Sequence, residues 1–426
     1  MRTPRRPARL ARAAPLGLTI ALAAAAHPVP AAAEPRAQAA WPTGISADGQ
    51  VVTFGVAEYV RGTGAFFVYF ARDLAHDRTV PLGFSVADAS GGAGSAAPVS
   101  ADNRYAAVSI ASAADPLIDQ GVEVDLDRQA PVLVSATPSG RGGNGSASQP
   151  TISADGRYVA FASTATDLAP GDSNGDWDVF ARDVATGTTR QVSVGRHGEP
   201  GNGPSRAPSI SADGRYVAFS SDATNLVTGD TNGDTDVFVR DLRSGSTRRI
   251  SLGPAGRQAS QGSGSPSISA DGRYVAFSSG AGNLVSDDTN AGTDVFVRDL
   301  RHHTTHRASL DSRGRQGGRG EYSFGPSISA DGRYLAFISQ ASNLVPPGSA
   351  LSQRAFVRDL RYGSTRLASR TGDGDPAGSP SWDVVISGNG RYLAFSSLRP
   401  AGPSEPSVFV RDLWTHRTRW IDPESD

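Results

Sequence analysis

The 426-residue sequence has no cysteine and no lysine, so arginine carries every permanent positive charge. The missing cysteine excludes disulfides, thiol catalysis and a lipid-modified amino-terminal cysteine. Stability must come from packing, with bound ions as the remaining source. A composition rich in Arg, Ala, Gly and Pro but without Lys fits a GC-rich bacterial genome. There is no long hydrophobic run either: the longest apolar stretch, Leu16 to Ala26, is too short to span a bilayer.

That stretch has a place in a recognisable order. Five arginines fall between Arg2 and Arg12, the apolar run follows, and small residues close the segment at Ala31-Ala32-Ala33. Basic, apolar and small in sequence describe a secretory signal peptide over residues 1–33, with cleavage expected after Ala33 and a short linker over 34–40. Pro7 and Ala8 follow the Arg5-Arg6 pair where twin-arginine signals are apolar, so general secretion is the expectation. The segment holds no acid, so its removal takes the formal charge from −1 to −6 (−1 minus five arginines). A mildly acidic secreted chain offers no footprint for nucleic acid or anionic lipid.

What is present is a repeat. A phrase reading SISADGRYVAFSS at Ser209 to Ser221 and Ser267 to Ser279 recurs in seven versions. Its turn position is held by Asp48, Asp102, Asp155, Asp213, Asp271, Asp331 and Asn389, spaced by 54, 53, 58, 58, 60 and 58 residues. Such regularity marks a repeat architecture. Near-even repeats starting near 41, 97, 150, 208, 266, 326 and 384 predict one closed domain over 41–426 rather than several.

Within the fourth repeat, Ala207 to Ser211 predicts a strand and Asp213-Gly214 a tight hairpin turn. Arg215 to Ser221 predicts a second strand, Asp222 to Thr235 a polar loop, Asp236 to Leu242 a third strand, and Thr247 to Leu252 a fourth. The second and third strands are apolar on both sides, as strands sandwiched between neighbouring sheets must be. Four antiparallel strands per repeat, seven times over, predict an all-β, seven-bladed β-propeller.

The phrase PSISADGRYVAF at Pro208 to Phe219 resembles the repeat of the TolB-like, WD40-related (PD40 repeat) propellers, in which a Ser-x-Asp-Gly turn precedes an apolar strand. The resemblance extends in weaker copies over nearly the whole of 41–426 and implies the same blade fold. It departs from TolB in having seven blades and no extra amino-terminal domain, so TolB's partners in the cell envelope are not carried over.

An Arg-Asp pair recurs at Arg72-Asp73, Arg182-Asp183, Arg240-Asp241, Arg298-Asp299, Arg358-Asp359 and Arg411-Asp412, while the second repeat offers Asp125 and Asp127 instead. A pair repeated in each blade is expected to do one structural task, pairing with the turn of its own hairpin, rather than to form a ring of ligand-binding charges. Strand alternation places both tight turns of a blade on one face and the long, variable loops on the other. The variable face is where a partner is expected.

The loops between second and third strands carry the sharpest chemical pattern. Asp172, Asn174, Asp176 and Asp178 alternate in the third repeat, Asp230, Asn232, Asp234 and Asp236 in the fourth, and Asp288, Asn290 and Asp294 in the fifth. Alternating oxygen side chains on a looped backbone are candidate calcium ligands, similar in spacing to the loops of EF-hands and of some integrin-type propeller blades. The EF-hand's Gly at the sixth position and Glu at the twelfth are missing. The other reading is that these side chains bond their own backbone as Asx-turns and need no ion.

Catalysis finds little in the sequence. No Gly-x-Ser-x-Gly elbow occurs. The one histidine cluster, His302, His303 and His306, sits where other repeats have a basic turn, and an exposed substitution there competes with a transition-metal site. Glu321, Tyr322, Trp382 and Asp383 lie in loops leading to innermost strands, and Trp177, Tyr322 and Trp382 are candidate sugar-binding aromatics that packing could equally occupy. The sequence therefore predicts a secreted, monomeric binding or scaffold module for a protein or glycan, without a membrane span or nucleic-acid partner. The alternative is a secreted carbohydrate-active lyase or hydrolase with its site at the top centre of the ring.

Overall fold

A computed structural model describes residues 39–60, 64–86, 98–112, 114–115, 117–345, 352–370, 380–398 and 406–421. The expected signal peptide and most of the linker lie outside them.

The fourth repeat shows how the sequence makes a blade. Its strands run Ser205–Ile210, Tyr216–Ser221, Asp236–Asp241 and Ser246–Arg249, hydrogen-bonded antiparallel in that order. The fourth is shorter than the sequence suggests. Beyond Arg249 the chain folds back on itself, with Leu252 N donating to Ile250 O at 2.7 Å. At the first turn, the Ser211 hydroxyl donates to Asp213 Oδ1 (2.6 Å) and accepts from Tyr216 N (2.9 Å), which explains Ser and Asp in the repeated phrase. Gly214 is needed twice over: its φ is +71°, and a Cβ there would lie 2.1 Å from the Tyr158 ring of the preceding blade.

Seven such units make a seven-bladed propeller, four antiparallel strands to a blade. Blade 2 departs most. Its sheet has three strands (Tyr105–Ala111, Asp119–Asp125 and Ala130–Leu133), and the innermost is reduced to a single bridge between Val99 and Ala106. In the other six blades a phenylalanine on the second strand stacks on one across it on the third, as Phe219 does on Phe238 with ring centroids 5.8 Å apart. Both rings are fully buried, so each blade is clamped between its neighbours by its largest apolar side chains.

The first strands line the interior of the ring and bond one another: Ile268 N donates to Ser209 Oγ, Ile328 N to Ser267 Oγ and Ile386 N to Ser327 Oγ, each at 3.1 Å. The first turns also form a chain of blade-to-blade backbone bonds, Ala101 N to Ala154 O, Ala154 N to Ala212 O, and onward through Ala270 and Ala330 to Gly388. Asn389 N then donates to Ala47 O at 2.8 Å, and Asn103 Nδ2 to Asp48 Oδ2 at 2.9 Å, which completes the circle.

The first sheet is built from Ala39–Ile45, Val51–Val60, Gly64–Asp73 and Arg78–Val86, and the last from Val384–Ile386, Tyr392–Leu398, Pro406–Asp412 and Thr418–Ile421. Among the described residues no strand is exchanged between them. Closure rests on a core of Ala40, Ile45, Val52, Phe54 and Val56 against Ala394, Val408, Val410 and Ile421. Tyr392 packs on Gly49 as every other such tyrosine packs on the next blade's turn glycine. At the rim, Arg419 of the last blade donates to Asp77, which also accepts from Arg72 of the first.

Candidate functional site

The recurrent Arg-Asp pairs are absorbed by the scaffold. Asp241 takes the guanidinium of Arg215, the arginine following its blade's first turn, at 2.7 Å, and accepts from the backbone N–H of Arg243 and Ser244 in the second turn. This Arg215 contact and the backbone bonds hold the Asp241 carboxyl well below its ordinary range. The same link joins Arg157 to Asp183, Arg273 to Asp299, Arg333 to Asp359 and Arg391 to Asp412. In blade 2, Asp125 does this work with Arg104 and Arg128. The arginine of each pair has a different task. Arg298 donates to Thr305 Oγ1 (2.9 Å) and to Leu252 O in the segment leaving the preceding blade (3.1 Å), so it staples two blades.

These contacts put both turns of a blade on one face. The Asp/Asn loops lie on the other, beside the segments that enter each blade. Asn232 Nδ2 donates to Ala259 O at 3.1 Å, and Asn174 Nδ2 to Gly201 O at 3.0 Å.

Within these loops, the first and seventh positions turn inward and the fifth turns out, Asp176 and Asp234 being exposed, while the third ranges from buried at Asn290 to exposed at Asn174. In blade 4, Asp236 is fully buried and accepts from Ser251 Oγ through Oδ1 and from Asn232 Nδ2 (3.1 Å) through Oδ2. Between Asp236 and Asp230 sits Arg249, with Nη1 3.2 Å from Asp236 Oδ2 and 3.5 Å from Asp230 Oδ1. Its guanidinium also reaches Gly229 O (2.9 Å) and Gln258 Oε1 (2.5 Å). Blade 5 repeats the arrangement. Arg307 lies 3.5 Å from Asp288 and 3.6 Å from Asp294 and bonds Gln316, while Asn290 Nδ2 donates to Asp294 Oδ2 at 3.0 Å. Burial pushes these aspartates up, and the arginine opposes the shift. In two of the three acidic loops, therefore, an internal guanidinium stands among the oxygens expected to meet calcium.

Blade 3 has the acids without the arginine. Gln191 occupies the strand position of Arg249 and Arg307, paired opposite Phe180 as they are opposite Phe238 and Phe296. Asp178 is fully buried and accepts from Ser193 Oγ at 2.5 Å through Oδ1. Its Oδ2, the Oδ1 of Asp172 and the Nε2 of Gln191 are all buried without a hydrogen-bond partner. The amides of Asn174 and Gln191 lie beside Asp178 without bonding that oxygen. Burial and the neighbouring Asp178 carboxylate push Asp172 up to about 6.

The other candidates disperse. His302 Nδ1 pairs with Asp299 at 2.8 Å, inside the turn linkage. Glu321 accepts from Gly318 N in its own loop and from Ser342 N in the loop after the second strand, and Asp383 contacts Ser396. Trp177 carries the Arg206 guanidinium over its ring at 4.8 Å. Tyr322 and Trp382 stay 48% and 37% exposed on the long-loop face. Tyr362 and Trp414, exposed on the tight-turn face, lie beneath Arg333 and Arg391. No group of three or more His, Asp or Glu side chains placed to hold a metal ion occurs among the described residues.

The arginine set among the acids of blades 4 and 5 is the feature that sequence reasoning missed. Its signal was the column formed by Gln191, Arg249 and Arg307, which lies 13 residues after the last acid of each loop.

No family model matches the chain, and no curated protein does. Among solved structures, the β-propeller domain of the Trilobed protease from Pyrococcus furiosus, described as having an open velcro topology, is similar with a TM-score of 0.56 and 9% identity over 92% of this chain and 98% of that one. Oligogalacturonate lyase from Vibrio parahaemolyticus gives 0.51 and 12%, covering 90% and 93%. A putative TolB from Agrobacterium tumefaciens gives 0.45 and 15%, covering 91% and 100%, too low a score to support an argument. These likenesses establish one thing, that the chain has the β-propeller fold.

Proposed function

We propose that this chain is a secreted TolB-like propeller that acts as a binding or scaffold module for a protein or glycan through its long-loop face. The observation that carries this reading is the division of labour between the faces. On the tight-turn face the charged side chains of successive blades are consumed in one repeated linkage, and its exposed rings, Tyr362 and Trp414, each already stack on an arginine of that linkage. The opposite face differs from blade to blade and leaves Tyr322 and Trp382 open near the inner strands of adjacent blades. A rigid ring presenting variable loops and exposed aromatics suits recognition. The candidate polar residues for a lyase or hydrolase at the ring's centre, Glu321 and Asp383, are instead engaged by backbone and serine groups of their own blades. The basic, apolar and small order of residues 1–33 supports export, and no helix among the described residues is long and apolar enough to cross a membrane.

The test is a binding screen of the mature chain against soluble polysaccharides and solubilised bacterial envelope proteins. A hit should weaken at least about tenfold in a Tyr322→Ser, Trp382→Ser double variant that melts normally. Binding untouched by that variant would move the site elsewhere. Release of unsaturated or hydrolysed products from a polysaccharide would replace this reading with the enzymatic one.

A further inference from the structure

The three acidic loops are near-copies with one chemical difference, and that difference points to a ligand. In blade 4 the Arg249 guanidinium is held by four oxygens: Asp230, Asp236, the Gly229 carbonyl and the Gln258 amide. It is a positive charge in an oxygen-lined box. Blade 3 keeps most of the box. Asp172 and Asp178 stand where Asp230 and Asp236 stand, and Gly171 precedes the first of them with positive φ as Gly229 does. The occupant is gone: Gln191 replaces the arginine, and Pro200 replaces Gln258 at the bridge of the entering segment.

Two carboxylates are thereby buried together with no positively charged side chain on them among the described residues. Asp178 is fully buried and Asp172 is 9% exposed, and each keeps one oxygen without a hydrogen bond. The amides of Asn174 and Gln191 offset only part of the desolvation cost at Asp178, and no cation among the described residues meets the rest, so a chain that builds the arrangement has a counter-charge for it.

We propose that blade 3 binds one calcium ion in the place that an arginine guanidinium fills in blades 4 and 5, with Asp172 and Asp178 as its charged ligands. The Gly171 carbonyl and the amide oxygens of Asn174 and Gln191 complete the set, once the Gln191 amide turns to present its oxygen rather than its partnerless Nε2. The donors are all oxygens, which selects hard cations over zinc or copper. Two buried carboxylates call for a double positive charge. A mixed set of carboxylate, amide and carbonyl donors on a loop suits the adaptable six to eight ligands of calcium better than the strict octahedron of magnesium. Blades 4 and 5, carrying their own cation, bind none.

Calcium titration by calorimetry, with thermal melts in EDTA and in millimolar calcium, tests this. The native chain should bind one calcium per molecule, with a midpoint rise of about 2 °C at tenfold excess over the dissociation constant. Gln191→Arg, which gives blade 3 its neighbours' own solution, should abolish calcium binding yet melt above the native chain in EDTA. Asp178→Asn should also lose binding. Arg249→Gln should open a second site and raise the stoichiometry from one to two. No binding by the native chain up to 10 mM calcium would overturn the proposal, meaning that the two carboxylates share a proton instead. So would binding that survives both Gln191→Arg and Asp178→Asn, since the ion would then lie elsewhere.

Discussion

Blades 2 and 4 descend from the same phrase and share a backbone plan, yet they keep it by different means. Blade 4 has four full strands, the stacked Phe219 and Phe238, and Arg240 bonded to Thr247. Blade 2 has an inner strand of one bridge, Val108 opposite Val122 where the phenylalanines would be, and Val124 in place of the arginine. It also buries Glu123 at the position of Val239. What blade 2 retains is the Ser100-Asp102 turn, the Arg104–Asp125 link and the backbone bond from Ala101 to Ala154. The comparison teaches that a unit which keeps its first turn and its contacts with neighbours remains a blade here after the aromatic clamp and a complete inner strand are lost. This is the behaviour of a repeat array, in which interfaces carry a large share of stability.

Cutting an outer strand from another blade breaks this comparison most severely. Truncation after Arg411 deletes Thr418–Ile421 and with it Ile421 of the closing core and the Arg419–Asp77 contact. The melting midpoint should fall by roughly 5 °C or more and the transition should broaden. An unchanged melt would mean that the first and last blades do not hold the ring shut.

A smaller effect separates the two clamps. Phe219→Ala should cost about 3–5 kcal/mol through the cavity it leaves, and Val108→Ala roughly 2 kcal/mol. Denaturant titration of both variants checks the ranking, and equal losses would show that blade 2 is clamped as firmly as blade 4.

The smallest effect is a pH dependence seated in blade 2. Burial, with help from Asp125, raises the Glu123 carboxyl to about 7. The folded chain therefore holds a proton that the unfolded chain releases above the ordinary glutamate value of 4.5. Its contribution to stability falls as pH rises from there to about 7, and the penalty is complete above that. Glu123→Gln should melt with the native chain near pH 4.5 and a degree or two above it at pH 8. Parallel curves at the two pH values would show that Glu123 ionises freely.

The fold was legible because its information is local and repeated. Ser211, Asp213 and Gly214 build their turn within a few residues, and seven copies of it announce seven blades. The role of Asp241 was legible too, since a residue recurring beside a recurring turn has a partner close at hand. The acidic loops were only half legible. Alternation in sequence suggested that every second side chain converges, but the backbone turns at Gly175 and Gly233 send Asp176 and Asp234 outward. The counter-ion of the buried pair comes from the next strand, one turn of chain away, and register across that sheet, rather than spacing along the loop, brings Arg249 to Asp236.

The seating of each tyrosine on the next turn glycine has a consequence for the order of the chain. Because Tyr392 meets Gly49 as Tyr158 meets Gly214, the junction between the last blade and the first makes the same contact as five of the six junctions the chain crosses internally, the exception being blades 1 and 2, where Val51 and Asn103 stand instead. In this contact the closing junction is an ordinary one. Joining residue 421 to residue 39 through a short tether and opening the polypeptide between two other blades would give a circular permutant in which every blade keeps both of its neighbours.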